Sequence, residues 1–228
     1  MNVNLATDLI STGDKRRLEY DWYAGGIPSN VHLGEHVYID TAYGFAPFHS
    51  EQDPGLTIGN ASGAYDRTTF IVGPSGRVNV GAYTILNGTY FVCHERIEVG
   101  NHCLLAWGSV LTDTWPADVQ SLPISLRREV MRAIANDPAR RLPAFAEPQP
   151  IVLEDNVWVG FDAVVLPGVR LGRGSVVGCK TIVAEDVPPY AVVVGSPARI
   201  VRYLDADDTE AERTRALGEF VRPQINTE

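Results

Sequence analysis

Few side chains in this sequence can move a proton near neutral pH. Five are histidines, His32, His36, His49, His94 and His102, and none follows His102 in the 228 residues. Imidazole titrates close to working pH, which suits it to general-base chemistry. The three cysteines, Cys93, Cys103 and Cys179, have no metal-ligand spacing and leave an odd thiol in any disulfide scheme. That points to a reducing compartment, the cytoplasm, and no metal site is expected. A net charge of −9 argues against a general nucleic-acid surface, yet leaves room for a phosphate-bearing small ligand held by a few local cations.

The elements that must position such groups are written in a six-residue period. Leu153, Val159, Val165, Leu171, Val177 and Val183 recur every six positions. Val157, Ala163, Val169, Ser175, Thr181 and Val187, all small or β-branched, follow each of them four places later. A helix repeats at 3.6 and a half-buried strand at 2, so neither gives a period of six. Hexapeptide repeats build a parallel β-helix, in which three hexapeptides make one triangular coil and coils stack about 4.8 Å apart. The aliphatic residue points inward. Gly160, Gly172 and Gly178 follow it directly, where a corner demands unusual dihedrals. Upstream, Val80, Leu86 and Val92 keep the period, a seven-residue step leads to Val99, and six resumes at Leu105 and Leu111. Leu33, Ile39, Ile58 and Val72 mark earlier rungs.

The expected fold class is therefore an all-β solenoid over residues 31–204, after an N-terminal extension of residues 1–30. Two excursions break it, at about 43–57 and 116–150. The first contains Phe45-Ala-Pro-Phe-His-Ser-Glu-Gln-Asp-Pro54 and reads as a loop, while the second carries helical propensity over 125–135, with Leu126, Val130 and Ile134 four apart. That flap is read as a lid over a substrate or as a structural brace. An acidic segment from Asp205 opens a C-terminal helical tail over 205–228. The 45% hydrophobic content supports a packed core, and no apolar run is long enough for a membrane span. The start of the chain lacks the basic and apolar regions of a signal peptide.

From about Val72 to Arg202 the chain resembles the hexapeptide-repeat acyltransferases, in particular the maltose, xenobiotic and polysaccharide O-acetyltransferase branch. The motifs are Val157-Trp-Val-Gly160, Val165-Leu-Pro-Gly-Val169, Gly174-Ser-Val-Val-Gly178, Asp186-Val-Pro-Pro-Tyr190 and Val194-Gly-Ser-Pro-Ala-Arg-Ile-Val-Arg202. The resemblance implies a left-handed winding, a homotrimer with active sites in grooves between prisms, and acetyl-coenzyme A as the acyl donor. The acceptor it implies is a hydroxyl or amine of a small molecule, a sugar or sugar derivative. Small residues such as Gly160, Ala163 and Ser196 would let the pantetheine arm approach the prism. Lys180, Arg199 and Arg202 would meet the coenzyme phosphates, a task for which Arg forks are suited. Exposed aromatics at Tyr83, Tyr90, Phe91 and Trp107 would be covered in the trimer.

One departure stands out. In the family, a stretch like Val99-Gly-Asn-His-Cys-Leu-Leu-Ala-Trp-Gly-Ser-Val-Leu-Thr-Asp113 is followed within a few residues by the histidine that deprotonates the acceptor. Here the chain continues Thr114-Trp-Pro-Ala-Asp-Val-Gln-Ser121. The replacement candidates are His94, then His49, with Asp113 as a weak base if burial raises its pKa; His102 is set aside as a corner side chain. Three readings follow: an acyltransferase with an unusual base or an easily acylated amine, a catalytically silent trimeric scaffold or ligand-binding protein, and a metal lyase needing three convergent histidines.

Overall fold

A computed structural model describes residues 9–12, 15–19, 21–114, 123–136, 147–205 and Arg215. The helical tail expected over 205–228 lies outside the described residues, Asp205 and Arg215 apart. Three sheets wind into a triangular prism, a left-handed parallel β-helix of about six turns. The first face stacks Val31–Leu33, Leu56–Ile58, Arg77–Val80, Arg96–Val99, Ile151–Leu153 and Arg170–Leu171. The second stacks Tyr38–Ile39, Gly63–Tyr65, Ile85–Asn87, Leu104–Leu105, Trp158–Val159, Val176–Val177 and Ala191–Val194. The third stacks Thr69–Val72, Tyr90–Cys93, Val110–Thr112, Val164–Val165 and Ile182–Val183. No helix among the described residues is long and apolar enough to cross a membrane.

The hexad from Leu153 is the core. Leu153 pairs in register with Leu171, Val159 with Val177 and Val165 with Val183, and all six are buried. The six residues that follow them by four places are buried as well. Upstream the third face departs from the expected spacing. Its strands Thr69–Val72 and Tyr90–Cys93 each turn two residues inward, Phe70 with Val72 and Phe91 with Cys93, and leave Val92 half-buried on the outside. The physical reason is an aromatic column, Phe45 on Phe70 at 5.3 Å and Phe70 on Phe91 at 5.1 Å, which fills the prism where small aliphatics would leave voids. Phe91 is therefore core and not an exposed aromatic. Part of the stretch 43–57 also joins the prism: Phe48 bridges Val72, and the His49 amide donates to the Val72 carbonyl at 2.8 Å.

Gly160, Gly172 and Gly178 serve a purpose other than unusual dihedrals, since none of them has a positive φ. A Cβ on Gly160 would lie 2.7 Å from the Cys179 backbone nitrogen, so glycine is needed because the next coil passes close by. The left-handed corner positions between the first and second faces are taken by His36, Ala61, Tyr83, His102 and Asn156, with φ from 53° to 60°. Coil-to-coil hydrogen bonds hold them there, such as Tyr83 N to Asn60 O at 2.9 Å and His102 N to Ala82 O at 2.9 Å. Inside the same corner runs a ladder of buried hydroxyls. Ser62 Oγ donates to Gly81 O at 2.8 Å and accepts from Thr84 N, and Thr84 Oγ1 donates to Gly100 O at 2.9 Å and accepts from Cys103 N. Val157 interrupts the ladder, and the next member, Ser175, has a buried Oγ with no partner.

Both ends of the prism carry antiparallel strands. At the start, Leu9–Thr12, Lys15–Leu18 and Ile27–Pro28 form a small sheet. The Arg16 guanidinium fastens it to the first coil by donating to the carbonyls of Pro28 and Val31. At the far end Arg199–Tyr203 turns back along Ala191–Val194. The second excursion contains the helix Ile124–Ala135, on which Leu126 and Met131 are exposed.

Candidate functional site

The candidate bases gather on one edge of the prism, between the third and first faces. Phe48 and Cys93 both pair with Val72, so His49, Gly73 and His94 follow one another on successive coils in a single column. The His94 ring lies over Gly73, where an added Cβ would sit 2.9 Å from its Nδ1. His94 is half-buried and His49 is exposed. Asp113, wholly buried, closes the turn beneath them. Its carboxylate accepts the backbone amides of His94 at 2.8 and 3.0 Å, Glu95 at 2.8 Å and Arg96 at 3.0 Å. A carboxylate so engaged orients a turn; its lone pairs already have owners. Burial and the neighbouring Asp113 charge push the Cys93 thiol pKa far above its usual value.

The candidate coenzyme residues lie on a different edge, between the second and third faces, and on the hairpin that ends the prism. Lys180 is exposed on this edge at φ 56°, its amide donating to Phe161 O at 2.7 Å. Ser196 lies in the exposed turn between Ala191–Val194 and Arg199–Tyr203; next to it, Gly195 O accepts from Ile182 N at 3.0 Å. Arg199 and Arg202 are three apart, which on a regular strand would send them to opposite sides. A register shift at Val192/Val193 corrects this: Arg199 pairs with Val194 and Arg202 with Val192, so both point to one side. Ala163 is fully buried inside the prism, and Gly160 lies against the next coil. Their small size is used up by coil stacking, so they offer a ligand no space of their own.

The other histidines do not join either group. His32 pairs with Asp53 at 2.7 Å on the outside of the first face, and His102 stacks on Tyr83 at 5.2 Å on the edge between the first and second faces. His94 and His102 thus occupy different edges. Among the described residues no three His, Cys, Asp or Glu side chains are grouped to hold a metal ion.

Two features escaped the sequence reading. The first is a parallel stack of Trp107 on Phe161 at 5.4 Å and 10°, with the indole Nε1 donating to Asp66 Oδ2 at 2.5 Å. The signal was available, since each ring stands two residues after an inward aliphatic, Leu105 and Val159, and the repeat puts such positions in one column. The second is a contrast between faces. The outward column of the first face reads Thr57, Asn79, Glu98, Val152 and Arg170. Those of the other two read Tyr38, Gly63, Ile85, Leu104, Trp158, Val176 and Val192, and Thr69, Tyr90, Val110, Val164 and Ile182. Two faces are apolar outside and one is polar.

No family model matches the chain. Over 72 residues it is 49% identical to 2,3,4,5-tetrahydropyridine-2,6-dicarboxylate N-acetyltransferase of Brevibacillus brevis, covering 32% of this chain and 28% of that protein. Over 69 residues it is 44% identical to the protein of the same name from Staphylococcus aureus, covering 30% and 29%. The chain thus spans less than a third of the length of these curated relatives. Among solved structures, a mutant of AntD, an N-acyltransferase from Bacillus cereus in complex with dTDP-4-amino-4,6-dideoxyglucose and coenzyme A, superposes with a TM-score of 0.55. That match has 17% identity and covers 84% of this chain and 90% of AntD. The resemblance to hexapeptide-repeat acetyltransferases holds, and the fold is theirs.

Proposed function

We propose that this chain is an acyltransferase that moves an acetyl group from coenzyme A to an amine of a small acceptor, and that it works as a homotrimer in the cytoplasm. The observation that carries the reading is the division of the candidate groups between two edges of one prism. His94, His49 and Asp113 stand on one edge and Lys180, Ser196, Arg199 and Arg202 on or beside another. Only a neighbouring copy can bring the two kinds together. A closed threefold ring that turns the edge between the first and second faces to its axis sets the other two edges side by side in each groove, and the apolar outer column of the second face supplies part of the surface it covers.

In that groove, Lys180 and the paired guanidiniums of Arg199 and Arg202 hold the coenzyme phosphates. The thioester supplies an activated acyl group. His94 of the partner subunit receives the proton that the acceptor nitrogen gives up as it attacks the carbonyl and returns it to the coenzyme sulfur as the C–S bond breaks and the thiol leaves, while Asp113 fixes the turn that presents His94. The AntD fold and the N-acetyltransferase relatives support an amine over a hydroxyl. So does the missing family histidine, because a neutral amine is nucleophilic without first losing a proton, whereas a positioned base is worth about 10²–10⁴ in rate to a hydroxyl. The same missing histidine favours a second reading, a silent trimeric scaffold.

Calorimetric titration with acetyl-coenzyme A, beside light scattering, tests the proposal. The expected mass is three times 24.9 kDa, and binding should weaken in a salt-dependent way in the Arg199→Ala/Arg202→Ala double variant. A monomer mass at micromolar concentration removes the groove. No binding of acetyl-coenzyme A by the unmodified trimer leaves the scaffold reading in its place.

A further inference from the structure

The edge that carries Lys180 also carries an aromatic strip that coenzyme binding does not explain. Phe161 lies one coil and Trp107 two coils from Lys180, the latter a span of about 10 Å at normal strand spacing. Trp107 is 46% and Phe161 45% exposed, yet neither ring is loose. The parallel stack fixes one side of the indole, and the bond from Nε1 to Asp66 fixes its far end. Between the rings and Asp66 lies Gly88, at φ 51°, where an added Cβ would sit 3.4 Å from Trp107 Cδ1 and 3.2 Å from Asp66 O. The bare glycine lets the indole lie along the prism edge. A large aromatic side chain that is both exposed and rigid has already lost the entropy that binding would cost it.

The surroundings decide what such a surface receives. Asp40 sits beside Asp66 and accepts the backbone amides of Asp66 and Arg67; its own pKa is raised by burial and, further, by the Asp66 charge. Asp66 uses Oδ2 for the indole, and among the described residues Oδ1 has no donor. Asp162 and Lys180 follow along the same edge, both at positive φ. Interface cores are depleted of charge, so an edge with three carboxylates and an ammonium group suits a polar ligand better than the dry contact of a second copy.

We propose that Trp107, clamped by Phe161 and Asp66, is the acceptor platform, seating the apolar face of a saturated ring that bears a primary amine, an amino sugar, with its ammonium group directed to Asp66. This rests on the transferase reading for its catalytic meaning, though not for the binding itself. In a threefold ring equal coils lie level, which sets Trp107 opposite the edge that carries His94 of the partner subunit. The acceptor amine is held by Asp66 as the ammonium ion, gives one proton to bulk water to become nucleophilic, and as the neutral amine meets the base across the groove.

Glucosamine is the probe and glucose its uncharged control, titrated into the full-length protein labelled with nitrogen-15 and followed at the indole N–H resonances. Trp107→Phe identifies the relevant signal by its loss. The platform predicts a saturable shift of that signal with glucosamine, at least about tenfold weaker binding of glucose, and a similar loss in Asp66→Asn. Asp66→Asn keeps an oxygen for the indole, and its unchanged affinity for acetyl-coenzyme A reports that the prism is intact. No movement of the Trp107 signal, equal binding of the two sugars, or full affinity in Asp66→Asn each overturns the platform. Glucosamine binding without acetyl-coenzyme A binding overturns the transferase reading and leaves the platform standing. The reverse pattern overturns the platform alone.

Discussion

Replacing Asp113 by alanine removes the acceptor for three backbone amides at once. The carboxylate is wholly buried and takes its bonds at 2.8–3.0 Å from His94, Glu95 and Arg96. Hydrogen bonds to a charged group contribute about 1.5–3 kcal/mol each. Their plain sum overstates the loss, because Glu95 and Arg96 are exposed and their amides can turn to water once the carboxylate is gone. The amide of His94 is the one left without a substitute, and the deleted side chain also leaves a void. A net cost of about 3–5 kcal/mol follows. At ~2–4 °C per kcal/mol for a chain of this size, the melting temperature should fall by about 10–15 °C. Asp113→Asn should recover part of this, since its oxygen can stand where Oδ2 accepts all three amides while its NH2 group then faces only the His94 donor. Circular dichroism melts give the temperature, and hydrogen exchange at residues 94–96 tests the cause, because in a solenoid the loosening should concentrate near the damaged coil. An Asp113→Ala protein melting within about 2 °C of the parent, with those amides still protected, would refute the reasoning.

The buried hydroxyl ladder makes a paired prediction. Ser175→Ala should be neutral or stabilising by up to about 1 kcal/mol, since its Oγ has no partner, whereas Thr84→Val should cost about 2 kcal/mol by orphaning Gly100 O and Cys103 N; equal effects in denaturant titrations would contradict the ladder. The thiols should differ in reactivity. Burial pushes the Cys103 pKa up to about 11 and that of Cys93 higher still, while Cys179 is exposed, so iodoacetamide at pH 8 should add one label per native chain by mass spectrometry, at Cys179. Labelling of all three without unfolding would count against the packed prism. Burial raises the Glu154 pKa, but the Arg173 amide and the Arg170 guanidinium outweigh it and hold it below the usual value. Its stabilisation is therefore present above the unfolded-state pKa and lost as pH falls through the folded-state one. Glu154→Gln should flatten the acid limb of a stability–pH curve, and an unchanged limb would show that the carboxylate is not linked to folding.

The prism was legible because one inward position per hexad suffices to define it, and from Leu153 to Val183 nothing interrupts the count. Around Phe70 and Phe91 the count misled. Four-residue strands there carry two inward positions each, and stacked aromatics replace the branched aliphatics that the period selects for. The chemistry of His94, His49 and Asp113 marks each of them singly; that they share an edge depends on the pairing of Phe48 and Cys93 with Val72 and of Val92 with Thr112, which no local pattern encodes. The common side of Arg199 and Arg202 depends on a bulge equally invisible in the sequence. The Trp107 and Phe161 column, by contrast, is readable from the repeat, because corner positions two residues after each inward aliphatic fall in one column just as the inward ones do.

The reversal of chain direction at Arg199–Tyr203 has a consequence for solubility. A stack of parallel rungs exposes at each end a complete set of unpaired amides and carbonyls, a template onto which the end of another prism could seat. Coil would then follow coil across molecules as it does within one, and the product would be a filament. The returning strand fills most of the register of Ala191–Val194 from the opposite direction and offers the next molecule a bulged, twisted edge bearing Arg199 and Arg202. The same two guanidiniums that suit a phosphate are like charges to an approaching copy. Growth along the prism axis is thus blocked where a solenoid is most vulnerable, which leaves lateral association of the apolar faces as the open route to assembly.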